Sequence, residues 1–236
     1  MAKYSYFFEG SESEITNLGK RIVGWEINQF HKLIRQFHQA PQNPLNILEI
    51  GPGHGYFARS CLKNDYNYTA IDENPTCVKR LLDQGISANI ASVPPINSEL
   101  KFDVIFMDQV LEHMESPSEA QELIENCYNK LEKGGIVIIA CPDIHTHRGN
   151  FYDDYTHGYP TSITRISRLL QDFGFDIVYS DYYTFFLKGY FNTHTFHLIT
   201  KLSKYLGIFN ILFGKSAQKK LSSLLPSIVV VGKKNK

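Results

Sequence analysis

Asn46-Ile-Leu-Glu-Ile-Gly-Pro-Gly-His-Gly-Tyr-Phe57 is the stretch on which the reading of the whole chain turns. Its first five residues form an apolar run of strand length. They lead without a linker into Gly51-Pro-Gly-His-Gly55 and then into a helix starting near Tyr56. Glycines at alternate positions, Gly51, Gly53 and Gly55, permit a tight turn and let a ligand approach the backbone. The helix that follows offers amide N–H groups with no intrahelical partner. Such a strand–turn–helix is a cofactor cradle. A G-x-G-x-x-G dinucleotide fingerprint would need a glycine at position 56, where the chain has Tyr56, and a phosphate loop would need Gly-Lys-Ser/Thr, which is absent. Glu49 stands inside the apolar run, where a carboxylate is costly unless it is hydrogen-bonded.

Outward from this turn, short apolar runs alternate with amphipathic stretches, the pattern of an α/β fold with helices on both faces of a mostly parallel sheet. Seven strands are expected: Asn46–Ile50, Tyr68–Ile71, Ile86–Ile90, Phe102–Met107, Ile136–Cys141, Phe175–Asp181 and Ser227–Gly232. Helices are expected over Tyr56–Leu62, Pro75–Gln84, Ser118–Leu131 and Ile163–Phe173, with Pro75 in a first turn and Gly85 and Gly134 where helices stop. Glu14–Gln39 reads as one or two amphipathic helices ending at Pro41. The organisation is then a helical cap (1–45), a core (46–181), a helical insert (182–226), and a last strand with a basic tail (227–236).

With 236 residues, 43% apolar and 20% charged, the chain is long enough for one domain with a full core and too apolar for disorder. Cys61, Cys77, Cys127 and Cys141 show no C-x-x-C spacing, so they read as reduced, mostly buried thiols rather than a disulfide or zinc framework. No apolar run reaches the roughly 18 residues that span a bilayer, and no signal-peptide stretch follows Met1, so a cytoplasmic location is expected. Net charge is zero but uneven. From Lys188 to Lys236 there are nine lysines and no Asp or Glu.

The glycine stretch resembles the first motif of class I S-adenosylmethionine-dependent methyltransferases, and further matches follow in order. Ala70-Ile-Asp72 is similar to the acidic end of their second strand, and Phe102-Asp-Val-Ile-Phe106 with Val110-Leu-Glu-His113 to their fourth-strand motif. Leu131-Glu-Lys-Gly-Gly-Ile136 is similar to their turn before strand five. The resemblance covers about Leu45 to Phe175 and implies a Rossmann-like fold with S-adenosylmethionine as cofactor. It implies that Gly51, Gly53 and Gly55 cradle the cofactor, that Glu49 helps orient its methionine end, that Ala91 and Ser92 edge the adenine, and that Asp108 and Gln109 lie under the methionine. Asp72, at the end of a strand beside the glycine loop, can accept hydrogen bonds from two ribose hydroxyls; its competing reading is a helix cap ahead of Pro75.

Methyl transfer from a sulfonium needs a placed nucleophile that also loses a proton. Gln109, Glu112 and His113 are spaced i, i+3, i+4 and share one face if the segment is helical. They resemble the Glu-x-x-Glu-His metal motif of ubiquinone-biosynthesis and small-RNA methyltransferases, with Gln109 in place of the first acid. A divalent metal on Glu112, His113 and His157 is therefore one reading. The favoured reading is metal-free, with His157 or His113 as base. After the fifth strand, Asp143-Ile-His145-Thr-His147-Arg148 and Tyr152-Asp-Asp-Tyr-Thr-His157 form a loop expected over the strand ends, with Asp143, His145 and Tyr155 as acceptor contacts. The stretch around Tyr155-Thr-His157 resembles methyltransferases of polysaccharide modification.

The expected acceptor is therefore a sugar, a glycan precursor or another small polar molecule. An RNA acceptor fits the basic tail but not the acidic remainder, and a non-catalytic cofactor-binding scaffold is the reading from another class. The insert, Phe196 to Phe213 with Lys201 and Lys204 on an apolar stretch, suits peripheral contact with an anionic membrane face or, alternatively, a cap or homodimer contact.

Overall fold

The Asn46–Ile50 run becomes strand β1, central in an eight-stranded sheet. The computed structural model describes residues 17–38, 44–184, 187–205 and 226–235. Around β1 lie β2 (Asn67–Asp72), β3 (Ala88–Ile90), β4 (Phe102–Asp108), β5 (Leu131–Pro142), β6 (Phe175–Thr184), β7 (Leu187–Lys188) and β8 (Ser227–Lys234), in the order β3-β2-β1-β4-β5-β8-β6-β7. Every pair from β3 to β5 is parallel, whereas β8 runs antiparallel to both β5 and β6. This is the Rossmann-like, mostly parallel α/β architecture that the sequence implies, with one strand more among the described residues than the seven expected. The extra strand, β7, is a two-residue partner of the end of β6, pairing Tyr183 with Lys188 and Thr184 with Leu187. Two residues are too few to leave a periodic signal.

Alternation along each strand explains the layers. Ile47, Val104, Phe106, Ile136 and Ile138 point to one side of the sheet, and Leu48, Ile50, Ile105, Met107 and Ile139 to the other. Both faces are thus apolar, which requires helices on both. On the first face lie α1 (Asn17–Phe37), α2 (Tyr56–Lys63) and α3 (Pro75–Leu82), contributing Phe30, Leu33, Phe57 and Leu81. On the second lie α4 (Pro117–Lys130) and α6 (Ile163–Asp172), contributing Leu123, Ile124 and Leu170. Burying a side chain of this size stabilises the fold by about 1.5–3 kcal/mol.

Local chemistry sets the ends. Asn74, Ser116 and Ser162 cap α3, α4 and α6 through their side chains, and Pro75 and Pro117 occupy first-turn positions. Gly85, at φ +72°, follows the end of α3. Gly134 does not end a helix. α4 stops at Lys130, and Gly134, at φ +80°, sits in an irregularity of β5 between the Leu131↔Phe102 and Ile136↔Val104 pairs. All four cysteines are buried and unpaired by disulfides. The insert carries β7 and then helix α7 (Tyr190–Tyr205). The expected Glu14 start and Pro41 stop of α1, and Lys215, Lys219, Lys220 and Phe213 of the insert, lie outside the described residues.

Candidate functional site

Strand order reverses between β1 and β4, because β2 and β3 continue to one side and β5 to the other. Such a switch point leaves a crevice beyond the carboxyl ends of the two strands. The glycine loop fills its floor. Gly51, Gly53 and Gly55 have φ of +71°, +51° and +74°, the left-handed region open to glycine at little cost. A Cβ on Gly51 would lie 2.6 Å from Val110 Cγ2, and one on Gly55 would lie 2.5 Å from Leu81 Cδ2. Gly55 therefore serves packing between α2 and α3, and it does not line the crevice. The crevice itself is a cavity of about 580 Å³.

Its walls come from both halves of the sheet and from α1. Glu49, Gly51, Gly53, Asp72, Ala91, Ser92, Asp108 and Gln109, the residues expected around a cofactor, all line it. α1 adds a wall that the sequence did not reveal: Val23, Glu26, Ile27 and Phe30. Phe30 is wedged against Phe106 and Tyr183, with ring centroids 4.8 and 5.8 Å away, which fixes α1 across the strand ends. His54, from the glycine loop, also lines the cavity and accepts a hydrogen bond at Nδ1 from Arg80 (3.1 Å).

Six carboxyl-bearing residues line this space: Glu73, Asp154 on the far wall, and the group of Glu26, Glu49, Asp72 and Asp108. Glu49 and Asp108 project from the same side of neighbouring strands, because Glu49 pairs with Phe106 and Asp108 is two residues further along. Burial pushes Glu49 up to about 8, while the Tyr68 hydroxyl, which donates to Oε2, pulls it down and Asp108 and Asp72 push it up. Burial likewise raises Asp108, eased by the Gln109 side chain, and Oδ1 of Asp108 has no hydrogen-bond partner. Glu26 is raised by burial and by Asp108, with Tyr183 easing it. Asp72 is pushed up to about 6 by burial, against the Asn74 amide that donates to Oδ1 at 2.8 Å. Asp72 is not the cap of α3; Asn74 is. Buried carboxyls without counter-charges, one oxygen unpartnered, fit a ligand that carries positive charge.

The far wall holds His113, Met114, Asp154 and His157. The two imidazoles meet at 4.9 Å between ring centroids. Thr156 organises them: its hydroxyl donates to Asp154 Oδ1 (2.6 Å) and lies 2.9 Å from His113 Nδ1. Because the hydroxyl proton points at Asp154, His113 presents Nδ1–H to Thr156 and its lone pair at Nε2. His157 Nδ1 lies 2.6 Å from the Phe151 carbonyl, so it too carries its proton there, leaving Nε2 as the basic nitrogen, 3.9 Å from Asp154 Oδ2. Burial would raise Asp154, but the Thr156 hydroxyl and amide, with His157 and His113 beside it, hold its carboxyl below the ordinary value.

Gln109 does not share a helical face with Glu112 and His113. It adopts a left-handed φ of +57° ahead of a single 3-10 turn over Leu111–His113, which rotates it away from the expected i, i+3, i+4 row. Ligand atoms of Glu112, His113 and His157 nevertheless lie within 4.8 Å of one another. Glu112 is fully buried, and burial pushes its carboxyl up to about 8; neither oxygen makes a well-formed hydrogen bond, although its own backbone N–H and the Cys141 thiol lie near enough to ease the charge.

The three expected acceptor contacts fall outside the cavity. Asp143 is fully buried as the cap of the short helix α5 (Ile144–His147), accepting from the Thr146 amide and hydroxyl at 3.0 and 2.9 Å. His145 is exposed, and Tyr155 is 77% exposed.

A glycine-floored, carboxylate-walled crevice at the switch point of a doubly wound sheet defines the class I methyltransferase architecture. The chain belongs to the family described as a methyltransferase domain, whose profile matches residues 25–180. Among curated proteins it is similar to the ubiquinone biosynthesis O-methyltransferases of Rickettsia bellii and Rickettsia typhi, each 27% identical, over 109 and 111 residues. The match spans 44% of this chain and 44% of theirs, less than half the length of these relatives. In fold it is similar to a SAM dependent methyltransferase from Archaeoglobus fulgidus (TM-score 0.63, 20% identity, 98% of this chain and 100% of that one). It also resembles the N-methyltransferase NodS from Bradyrhizobium japonicum in complex with S-adenosyl-L-homocysteine (TM-score 0.58, 16% identity, 89% and 87%).

Proposed function

We propose that the cavity binds S-adenosylmethionine and that the protein methylates a hydroxyl of a small polar acceptor, a sugar or glycan precursor being the favoured class. The observation that carries the cofactor reading is one cavity joining a left-handed glycine loop to Glu26, Glu49, Asp72 and Asp108. Asp72 would hold the ribose hydroxyls, Ala91 and Ser92 would edge the adenine, and Glu49 and Asp108 would face the charged methionine end. When bound, this cofactor supplies a methyl group on a positively charged sulfur.

The protein's own part is to place the acceptor and take its proton. The Nε2 lone pair of His157 faces Asp154, whose negative charge stabilises the imidazolium once the proton arrives, and Thr156 holds His113 in the same orientation. O-transfer is supported by this histidine pair and by the O-methyltransferase relatives. A nucleic-acid acceptor draws no support from the cavity, which no lysine or arginine lines among the described residues. A second reading, a divalent ion on Glu112, His113 and His157, is favoured by the convergence of their ligand atoms within 4.8 Å. Transfer of labelled methyl from the cofactor into sugar, small-phenol or RNA pools tests the assignment, and label appearing in RNA alone would sink the acceptor reading.

A further inference from the structure

We propose that the exposed face of α7 docks the protein on an anionic lipid surface, to which the lysine-rich sequence of this region adds its charge. The inner face of α7 is anchored. Thr193 is fully buried and its hydroxyl donates to the Gly189 carbonyl (2.9 Å). His194 Nε2 lies 3.0 Å from Thr146 Oγ1, and His194 Nδ1 lies 2.8 Å from the Tyr190 carbonyl. Among the described residues, the opposite face is exposed. Phe191 and Leu198, seven residues apart and so on one stripe, are 78% and 64% exposed; Tyr190 and Ile199 flank them at 61% and 59%. Four large apolar side chains open to water on one helix mark an interaction surface rather than a solvated face.

Charge selects the occupant. Between Tyr182 and Pro226 the sequence has six lysines (188, 201, 204, 215, 219 and 220) and no Asp or Glu. Among the described lysine side chains of this basic region, Lys188 Nζ lies 5.5 Å from the Tyr179 ring centroid, Lys233 Nζ donates to the Phe37 carbonyl, and Lys234 Nζ donates to the Tyr128 and Leu131 carbonyls. A second copy meeting this face about a twofold axis would bring like-charged segments together, which opposes a dimer. An anionic bilayer accepts both features, apolar side chains at the acyl boundary and lysines at the headgroups. The aromatic surface extends to the acceptor loop, where Tyr152 and Tyr155 are 57% and 77% exposed and which the Thr146–His194 contact ties to α7. Tyrosine is the residue type that favours the headgroup level. The docked face therefore adjoins the loop whose His157 lines the cavity.

The test is co-sedimentation of the full chain with vesicles of phosphatidylcholine alone and of phosphatidylcholine mixed with phosphatidylglycerol. Two variants run beside it, F191S/L198S/I199S and K201Q/K204Q/K215Q/K219Q/K220Q. The wild type is expected to sediment with the anionic vesicles only and to release in high salt. Each variant should lose partitioning by at least about tenfold while keeping its melting temperature and its calorimetric affinity for S-adenosylhomocysteine. The lysine variant removes charge and no apolar side chain, so it stays informative if the apolar variant folds poorly. No sedimentation of the wild type with anionic vesicles, or wild-type partitioning by the lysine variant, overturns the proposal. So does a wild-type dimer that the apolar substitutions convert to monomer with no lipid binding in either form.

Discussion

At the scale of single residues, two aspartates at the carboxyl ends of strands show what sequence conveys and what it leaves out. Asp72 and Asp143 both follow an apolar run, yet only Asp72 faces the cavity. Asp143 caps α5, and its signal was present: an aspartate three residues ahead of Thr146, whose amide it accepts. Asp72→Ala should weaken cofactor binding by about 1.5–3 kcal/mol, the range for hydrogen bonds to a charged group. Calorimetry showing wild-type affinity would remove the ribose role. Gly51→Ala should bind still more weakly, because the new Cβ meets Val110 at 2.6 Å on a backbone held at φ +71°. His157→Gln should slow transfer by roughly 10²–10⁴-fold with cofactor affinity intact, the range for a lost general base. If activity in the wild type instead vanishes in EDTA and returns with Mg²⁺ or Mn²⁺, the pair His113–His157 acts as ligands.

Elements were legible to the extent that their periodicity was long and their ends chemically marked. β1 falls where the apolar run predicts it, α3 and α6 begin at the expected residues, and α4 begins one residue earlier than expected, each helix at a side-chain cap. β7 was hidden because two residues carry no period, and β5 begins at Leu131 because the Gly-Gly turn lies within the strand rather than before it. The placement of α1 was illegible for a different reason. Its amphipathic pattern marks a buried face without saying which strands that face will cover, so Glu26 carried no signal as a cavity residue. Phe30, 2% exposed and set among Phe106 and Tyr183, is the contact that decides it. Phe30→Ala should destabilise the protein by about 3–5 kcal/mol in denaturant unfolding. It should also lower cofactor affinity, because the wall bearing Glu26 loses its wedge. A loss of stability with no change in affinity would mean that α1 is packing alone.

Across the whole molecule, one linkage follows from gathering Glu26, Glu49, Asp72 and Asp108 around a single cavity with no lysine or arginine among its lining residues. Glu49 is raised to about 8 and Asp72 to about 6, with Glu26 and Asp108 raised by burial as well. In the unfolded chain these carboxyls titrate near about 4, so the ligand-free fold holds their protons more tightly than the unfolded chain does. Their contribution to stability is then complete below about pH 4 and is lost as pH rises through the folded values of about 6 to 8. A cation in the cavity reverses the preference, because it favours the ionised carboxylates and lowers their pKa on binding. Binding of S-adenosylmethionine should therefore release protons near neutral pH and tighten as pH rises from about 6 to about 8, the span of the raised groups. Calorimetry in buffers of different ionisation heat measures both quantities. S-adenosylhomocysteine, which keeps the ammonium but lacks the sulfonium charge, should show a shallower pH dependence if the carboxylates answer to the sulfur as well as the amine. Equal slopes for the two ligands would assign the carboxylates to the ammonium alone, and affinity that falls as pH rises would remove them from cofactor binding altogether.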